Sequence, residues 1–505
     1  MSQALTTPQS GSPRWWPVAL AGVAILAFIV RLSILNSESL WLDDAYSLMI
    51  AGGHGQAHRD LPLHRITTLP PLITTAESRP LFAVIAGQAG DVHPPLYFLA
   101  LRTFYFAAPV SDPELARLPG IGFSVATCVV LCLLARRLLP DAQPFSQLLP
   151  GILFAIAPTA VFMSLEVRGY SLATLLTVAV AYFASCLARS TRGVSILAMS
   201  VCAVAAMCTH YFSLFPLLGI LGWLLVVCSQ RKNVVIAALM VAFAFAVLCG
   251  PLLQQQLRAA GRWDDWISLH PTQAFSAVGL LMQGVAVPAR LFADPISKST
   301  TNVIAGMFLL GIPVVLSVSA AGAGRAVLLP VFALAATIAG LLTLDVCLST
   351  LHLNFIRYAM PAAGFAALLP ACIVLPKARY LPLVVGLSLV VYSVLFFNAP
   401  VQPRPDLRAL AGALNAAAAK LPPTAEIIIA RPAGDTLEDD PQTLALMLAP
   451  YLPAGRPVRL LDDTAKLPGG RPALVLSAYG ILPLPAESRF VYFDPAIPAH
   501  IYLLP

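Results

Sequence analysis

Two short acidic motifs stand beside apolar segments near the start of the chain. Residues 39–47 carry the adjacent carboxylates Asp43 and Asp44, and residues 91–97 carry Asp91 and His93 just ahead of another apolar run. Carboxylates are rare at a membrane face and mark functional sites there. Burial near an apolar interface raises the pKa of a carboxylate, which suits base catalysis, whereas a carboxylate pair with a histidine could instead hold Mg²⁺ or Mn²⁺.

The composition places these motifs in a membrane protein. Of 505 residues, 58% are hydrophobic and 11% are charged, whereas a soluble domain carries about 25% charged residues. The net charge of +7 is spread over single and paired basic residues, which fits cytoplasmic loops and not a nucleic-acid surface. The nine cysteines lie in or beside apolar segments without CxxC spacing, so we interpret them as core residues.

Apolar stretches of spanning length recur along most of the chain. The candidates are 15–35, 95–109, 118–134, 148–163, 170–187, 194–208, 212–228, 234–253, 303–320, 326–344, 358–375 and 381–397, with a longer polar loop predicted over 254–301. Basic residues at every second junction place the N-terminus inside and the region after Asn398 outside. This orientation needs an odd number of crossings, so we count 95–134 as one and predict about eleven transmembrane helices.

The composition changes at residue 400, which divides the chain into a transmembrane part, 1–399, and a C-terminal domain, 400–505. Apolar runs there have strand length, at 426–430, 458–461, 473–478 and 489–493, and helical spacing occurs at 406–420 and 441–452. We predict a small α/β domain on the extracytoplasmic side. The acidic triplet 438–440 is interpreted as a solvated loop.

The predicted topology gathers polar side chains at the outer face of the membrane. They are Asp43, Asp44, Asp91, His93, Glu166, Arg168, His210, Asp264, Asp265, His352, Arg357 and Tyr358. Glycosyl transfer needs a base for the acceptor and a cation for the leaving phosphate, and the planar fork of arginine suits a phosphate. Structural interpretations stay open, namely a helix cap at Asp43 and Asp44 and an interface ion pair at Glu166 and Arg168.

In their order along the chain, these motifs resemble those of GT-C glycosyltransferases, in particular the bacterial branch related to protein O-mannosyltransferases and aminoarabinose transferases. The matching segments are 40–46, 91–97, 116–119, 166–172, 209–212 and 357–361. The resemblance covers about residues 15–400 and implies a polytopic α-helical membrane protein. Such enzymes move a sugar from a polyprenyl-phosphate carrier to an envelope lipid, glycan or protein, with inversion, at the outer face of the bacterial inner membrane.

The resemblance also implies roles for individual residues. Asp43 and Asp44 fall on the family's first-loop Asp-Glu motif and take the catalytic position, with Mg²⁺ or Mn²⁺ at the same pair as an open alternative. His93 stands where aminoarabinose transferases have a lysine, and it is expected to contact the donor phosphate together with Arg168 and Arg357. The expected lining residues are Asp91, Tyr97, Glu166, Tyr170, His210, Tyr211, Arg262 and Tyr358.

Two other functions remain open at this point. A transporter or flippase of lipid-linked sugars would also be polytopic, but it predicts charges deep inside helices and paired structural repeats. A non-catalytic envelope assembly protein would carry the same apolar helices, and the paired carboxylates followed by His-Pro-Pro argue against it.

Overall fold

The computed structural model describes residues 14–37, 39–73, 78–107, 113–189, 193–260, 277–293, 325–374, 386, 406–430, 440–453, 455–462, 467, 472–478, 488–494 and 499–504. Contacts divide the chain into two compact units. The first unit comprises Met1–Ser33, Asp91–Tyr97 and Arg117–Val401, and the second comprises Ile34–Gly90, Phe98–Ala116 and Gln402–Pro505.

Most of the described residues are helical. In chain order the helices are α1 (Trp16–Leu32), α2 (Leu42–Ala51), α3 (Leu81–Gly87), α4 (Leu96–Ala107), α5 (Leu118–Leu138), α6 (Pro144–Ile156), α7 (Pro158–Leu165), α8 (Tyr170–Leu187), α9 (Gly193–Thr209), α10 (Leu214–Val227), α11 (Arg231–Ala260), α12 (Ala277–Ala293), α13 (Leu328–Leu348), α14 (Ala363–Val374), α15 (Leu407–Ala418) and α16 (Pro441–Leu448). Short 3₁₀ turns join some of them, at Ala57–Asp60, Pro113–Arg117, Tyr211–Ser213, His352–Asn354 and Ile356–Ala362.

Helices suited to a membrane belong to the first unit. Of the described helices, four are long and apolar enough to cross a bilayer, and α6 with α7 makes up to a fifth. The span predicted at 148–163 is therefore two helices bent by 54°, because Pro158 has no N–H for the helical ladder and its ring clashes with the preceding turn. The spans predicted at 303–320 and 381–397 lie outside the described residues.

The prediction of a polar loop over 254–301 is wrong in two places, where the structure has helix. Helix α11 continues through the glutamines to Ala260, and α12 occupies Ala277–Ala293 within the predicted loop. Glutamine is a good helix former, so a run of glutamines changes the polarity of a helix without ending it. In α12, Pro288 and Arg290 interrupt the apolar run, but Arg290 is buried and its side chain is hydrogen-bonded.

The core of the first unit holds a buried arginine among apolar side chains. Arg31 near the end of α1 is fully buried, and it donates hydrogen bonds to the Ser124 hydroxyl at 3.0 Å and to the Ala155 carbonyl at 2.9 Å. Ala155 is in the last turn of α6, where carbonyls lack helical partners and carry the negative end of the helix dipole. The guanidinium therefore stabilises the break between α6 and α7.

The second unit contains one six-stranded sheet among the described residues. Its strands are β1 (Ile66–Thr67), β2 (Glu426–Ala430), β3 (Val458–Leu461), β4 (Ala473–Ala478), β5 (Arg489–Asp494) and β6 (Ala499–Leu504), in the order β1-β3-β2-β4-β6-β5. The central strand β2 pairs in parallel with β3 and β4 and is buried along its whole length, as expected for a parallel strand covered on both faces. The predicted α/β class is confirmed here.

Local signals explain why the predicted C-terminal elements form. The Asp406 carboxylate accepts hydrogen bonds from the backbone N–H groups of Arg408 and Ala409 at the start of α15, and Asp440 accepts one from Thr443 at the start of α16. Such caps satisfy N–H groups that the helix leaves unpaired.

The last strand, β6, was not predicted because it follows β5 closely and its apolar run is short.

The second unit also includes segments from the first third of the chain. Strand β1 pairs antiparallel with β3, joining Ile66 to Arg459 and Thr67 to Val458. The predicted boundary between residues 399 and 400 separates the C-terminal segment from the membrane helices but does not include the segments 34–90 and 98–116. Pairing between strands so distant in sequence leaves no local composition signal.

Candidate functional site

The Asp91 motif forms a carboxylate–imidazole pair directly before α4. The Nδ1 atom of His93 lies 3.3 Å from Oδ1 of Asp91. Burial has the largest single effect and raises the pKa of Asp91, but the charges of His93 and Arg168 and the hydrogen bonds from His93 and the Val92 backbone together outweigh it, so the pKa falls below the ordinary value. Asp91 is therefore a carboxylate at neutral pH.

The Glu166 motif forms a tight turn between α7 and α8. The backbone N–H of Arg168 donates to the Glu166 carbonyl at 2.7 Å, and both side chains are buried. Gly169 follows, and a Cβ there would lie 3.2 Å from the Thr209 carbonyl oxygen and 3.3 Å from Cβ of Tyr97. Glycine thus permits the close approach that brings this turn beside the end of α9 and the start of α4.

His210 lies at the centre of a cluster of rings in the first unit. Its ring centroid is 6.4 Å from that of His93, 5.6 Å from Tyr170 and 5.5 Å from Phe212. Burial, together with the positive charges of His93, Arg168 and Arg357, lowers the pKa of His210 to about 3. His210 is consequently neutral at physiological pH, and its buried Nδ1 has no hydrogen-bond partner among the described residues.

A second carboxylate–imidazole pair closes the end of α13. Nδ1 of His352 lies 2.9 Å from Oδ1 of Asp345, and the Thr350 hydroxyl donates to the same oxygen at 3.1 Å. Asp345 also accepts from the backbone N–H groups of His352 at 2.6 Å and of Leu353 at 2.9 Å. The carboxylate is fully buried, and these donors compensate its loss of hydration.

The segment after His352 is held from two sides. Arg290 of α12 donates to the carbonyls of Leu353 and Asn354, each at 2.8 Å. Thr174 and Thr177 of α8 donate to the carbonyls of Met360 and Pro361. These bonds hold in place the 3₁₀ turns His352–Asn354 and Ile356–Ala362, which carry His352, Arg357 and Tyr358.

Arg357 lies within this segment between two aromatic rings. Its guanidinium carbon is 5.5 Å from the Phe355 ring centroid and 5.6 Å from that of Tyr358, the spacing of cation–π contacts. Tyr358 in turn packs against His352 and Phe212, with ring centroids 5.0 and 5.1 Å away.

These elements enclose a cavity of about 340 Å³ within the first unit. It is lined by Val92, His93, Pro94, Met207, His210, Tyr211, Phe212, Leu214, Phe245, Leu253, Gln256, Leu257, His352 and Tyr358. The cavity combines imidazole, phenol and amide groups with an apolar wall from α9, α10 and α11. Such a mixture suits a ligand that has both a polar and an apolar part.

The structure brings together part of the predicted set. His93, His210, Tyr211 and Tyr358 line the cavity, and Tyr170 lies against His210. Asp91, Arg168 and Arg357 act on these imidazoles through hydrogen bonding or charge. Tyr97 belongs to the packing around Gly169, the Glu166 carbonyl accepts from the Arg168 backbone N–H, and Arg262 lies outside the described residues.

Asp43 and Asp44 lie in the second unit at the start of α2. The Asp44 carboxylate accepts a hydrogen bond from the Trp41 backbone N–H at 3.1 Å and is buried, so it caps the helix. Asp43 is half-buried. The open interpretation as a helix cap therefore applies to Asp44, and the two neighbouring carboxylates have different surroundings.

Some site residues were not among the predicted lining set. Gln256 of α11 donates to the His93 carbonyl at 2.8 Å and accepts from the Tyr211 hydroxyl at 2.5 Å. Gln256 falls within the loop predicted over 254–301, from which only Arg262 was expected at the site, and a run of three glutamines gives no signal that singles out one of them. Asp345 pairs with His352 across seven residues of sequence, and its signal is a single acid at the end of an apolar run.

A bound divalent cation does not fit the predicted pair well. One oxygen of Asp44 is engaged by Trp41, and the described residues contain no group of three His, Cys, Asp or Glu side chains that could hold a metal ion. The dependence on Mg²⁺ or Mn²⁺ therefore stays a prediction.

No protein-family model and no curated protein sequence matches the chain. Among solved structures, it is similar to ArnT from Cupriavidus metallidurans bound to undecaprenyl phosphate, with a TM-score of 0.41 and 13% identity over 97% of this chain and 98% of that one. It is also similar to the archaeal oligosaccharyltransferase AglB from Archaeoglobus fulgidus in complex with an inhibitory peptide and a dolichol-phosphate. There the TM-score is 0.46 with 11% identity, over 86% of this chain and 64% of that one.

Proposed function

We propose that this chain is a GT-C-like glycosyltransferase that moves a sugar, with inversion, from a polyprenyl-phosphate carrier to an envelope lipid, glycan or protein. The observation that carries the proposal is the cavity where His93, His210 and His352 meet inside an apolar helical unit, close to the charges of Arg168 and Arg357. Polar and cationic groups buried at the ends of apolar helices mark substrate sites, because they are costly to bury.

The donor side of the reaction matches the charges around the cavity. As the glycosidic bond to the phosphate breaks, negative charge develops on the carrier phosphate and must be stabilised. We assign this role to Arg168, Arg357 and His93, the last of which has Asp91 as its counter-charge. The apolar wall of Leu253, Leu257 and its neighbours suits the first isoprene units of the carrier.

The acceptor side is assigned to Asp43. The motif of residues 40–46 resembles the family's first-loop motif, and a carboxylate at this position would remove a proton from the acceptor hydroxyl or amine. Asp44 is assigned to holding α2 through its bond to Trp41.

The orientation of the chain belongs to the same proposal. We place the N-terminus inside, the reaction at the outer face of the bacterial inner membrane, and residues 400–505 outside, with about eleven transmembrane helices in all. The charge pattern of the loops supports this arrangement.

Purified protein in liposomes with defined donors tests the reaction. We expect transfer of the sugar from a polyprenyl-phosphate-linked donor to an acceptor lipid or peptide, measured by mass spectrometry. In parallel, envelope glycolipids and glycoproteins of cells with and without the chain are compared. A single gained or lost sugar mass supports the proposal and identifies donor and acceptor. A transporter would give a different result. The sugar masses would be unchanged in every fraction, and the lipid-linked sugar would move from one leaflet to the other.

A further inference from the structure

A histidine outside the phosphate-binding set described above has the surroundings of a functional imidazole. His352 lines the cavity, and its Nδ1 is bound to the fully buried carboxylate of Asp345 at 2.9 Å. This bond leaves Nε2 as the ring nitrogen that can act on a ligand. The same arrangement, a carboxylate that fixes the orientation of an imidazole, recurs at functional histidines generally.

The imidazoles of the cavity differ in whether a counter-charge is present. His93 has Asp91 and His352 has Asp345, whereas His210 has no hydrogen-bonded carboxylate among the described residues. Positive charges from Arg168 and Arg357 already act in this region. Asp345 places a buried carboxylate directly beside His352 in this region.

His352 is also held more firmly than a turn of this length requires. Asp345 fixes both its ring and its backbone N–H, and Arg290 fixes the two residues that follow. Ring contacts with Phe212 and Tyr358 complete its surroundings. Preorganised groups of this kind stabilise charge without the cost of reorganisation.

From these observations we infer that His352 is a further contact for the carrier phosphate through its Nε2 atom, and that Asp345 is the residue that positions it. This inference rests on the proposed function for its ligand. The ligand class is a prenyl phosphate monoester, because the cavity joins imidazole, phenol and amide groups to an apolar wall, and the charges of Arg168 and Arg357 act in the same region.

Binding of two probes to the purified full-length protein tests this role separately from catalysis. The probes are farnesyl phosphate and farnesol, which share the prenyl chain and differ in the phosphate. For His352→Gln we expect affinity for farnesyl phosphate to fall about tenfold or more, as for one hydrogen bond to a charged group. Affinity for farnesol should stay unchanged. Asp345→Asn should give a similar selective loss, and the double variant should be no weaker than either single one.

A matched pair in the second unit provides the control. His64 lies 2.8 Å from Asp462 and is partly exposed, and neither residue lines the cavity, so His64→Gln removes an imidazole–carboxylate contact of the second unit and should change neither affinity. Equal weakening of both probes by His352→Gln would indicate a purely structural role and overturn the inference, as would no weakening of either. Selective loss of farnesyl phosphate in a protein that transfers no sugar would uphold the inference and refute the proposed reaction.

Discussion

At the scale of single residues, neighbours in sequence differ sharply in environment. Asp43 is half-buried, whereas Asp44 is buried and caps α2 through the Trp41 N–H. His93 and His210 line one cavity, but only His93 has a hydrogen-bonded carboxylate, and the pKa of His210 lies at about 3. Residue type alone therefore does not define chemical role.

Isosteric substitution can distinguish the roles of the two carboxylates of α2, Asp43 and Asp44. We expect Asp43→Asn to abolish sugar transfer without changing stability, because the amide cannot accept the acceptor's proton. Asp44→Asn should cost about 1 kcal/mol or less of stability, since the amide oxygen still caps the helix more weakly, and should retain transfer. Transfer assays and thermal unfolding of the two variants provide the measurement. Near-normal turnover of Asp43→Asn would remove Asp43 from the chemistry.

The buried His58 predicts an acid sensitivity. Burial, with the charge of Arg59, lowers the pKa of His58 to about 4 from an ordinary 6.5. The unfolded chain then binds a proton that the folded chain does not, so stability falls as pH drops below 6.5, and the loss is complete only below 4. At pH 5 this amounts to roughly 2 kcal/mol.

His58→Phe tests this origin of the acid sensitivity. Phenylalanine can keep the ring contact with Tyr46, now at 5.0 Å, and does not titrate. We expect the variant to lose less of its thermal midpoint than the native protein between pH 7.5 and pH 5. Equal losses in the two proteins would contradict the prediction.

At the scale of elements, close helix approaches decide which glycines matter. A Cβ on Gly219 of α10 would lie 2.3 Å from the Phe332 carbonyl oxygen and 2.5 Å from Cα of Ala333 in α13. Small residues permit such contacts between membrane helices. At Gly250 in α11, by contrast, a Cβ would have no neighbouring atom within 4 Å.

Alanine substitution at these two glycines should therefore have opposite effects. Gly219→Ala must push backbone apart, and we expect it to destabilise the protein by roughly 1–3 kcal/mol. Gly250→Ala gains helix propensity without a clash and should be neutral or stabilising by up to about 1 kcal/mol. Thermal unfolding in detergent measures both. A Gly219→Ala protein as stable as the native one would show that α10 and α13 do not approach each other this closely.

At the scale of the whole molecule, the second unit is assembled from distant parts of the chain. Glu114 is buried and bonds to Arg408, and the Tyr451 hydroxyl donates to Glu114 at 3.1 Å while accepting from the Leu40 N–H at 3.2 Å. These bonds join the C-terminal domain to the segment that leads into α2. The sheet also joins the two segments, because β1 from the first third of the chain pairs with β3 of the C-terminal domain.

We expect Glu114→Gln to destabilise both the C-terminal domain and the segment that leads into α2, because Glu114 bonds to Arg408 and Tyr451. Breaking a buried pair costs about 3–5 kcal/mol, but Arg408 is 44% exposed, so we expect roughly 2 kcal/mol. Limited proteolysis should then cut faster both within residues 34–90 and after 402. Asp462→Asn, at an exposed pair of the same unit, should change the rate little. Faster cutting of the C-terminal segment alone would show that the two segments do not depend on each other.

The sequence alone determined the features that depend on local pattern. Apolar runs predict membrane helices such as α5 and α8, and strand-length runs predict β2, β3 and β4 at their observed bounds, because burial selects composition and period at each element. The motifs at Asp91, Glu166 and His210 predict a shared site, and His93 and His210 line one cavity. Their side chains are costly to bury without a function.

Only the tertiary structure decided how distant residues combine. The pairing of Asp345 with His352, the contact of Gln256 with His93 and the inclusion of β1 in the C-terminal sheet each depend on the chain path, which no local pattern records. The charge state of His210 also depends on the tertiary structure, because burial and neighbouring cations set its pKa. Hydrogen bonds and charges act through space, so these properties exist only once the helices have packed.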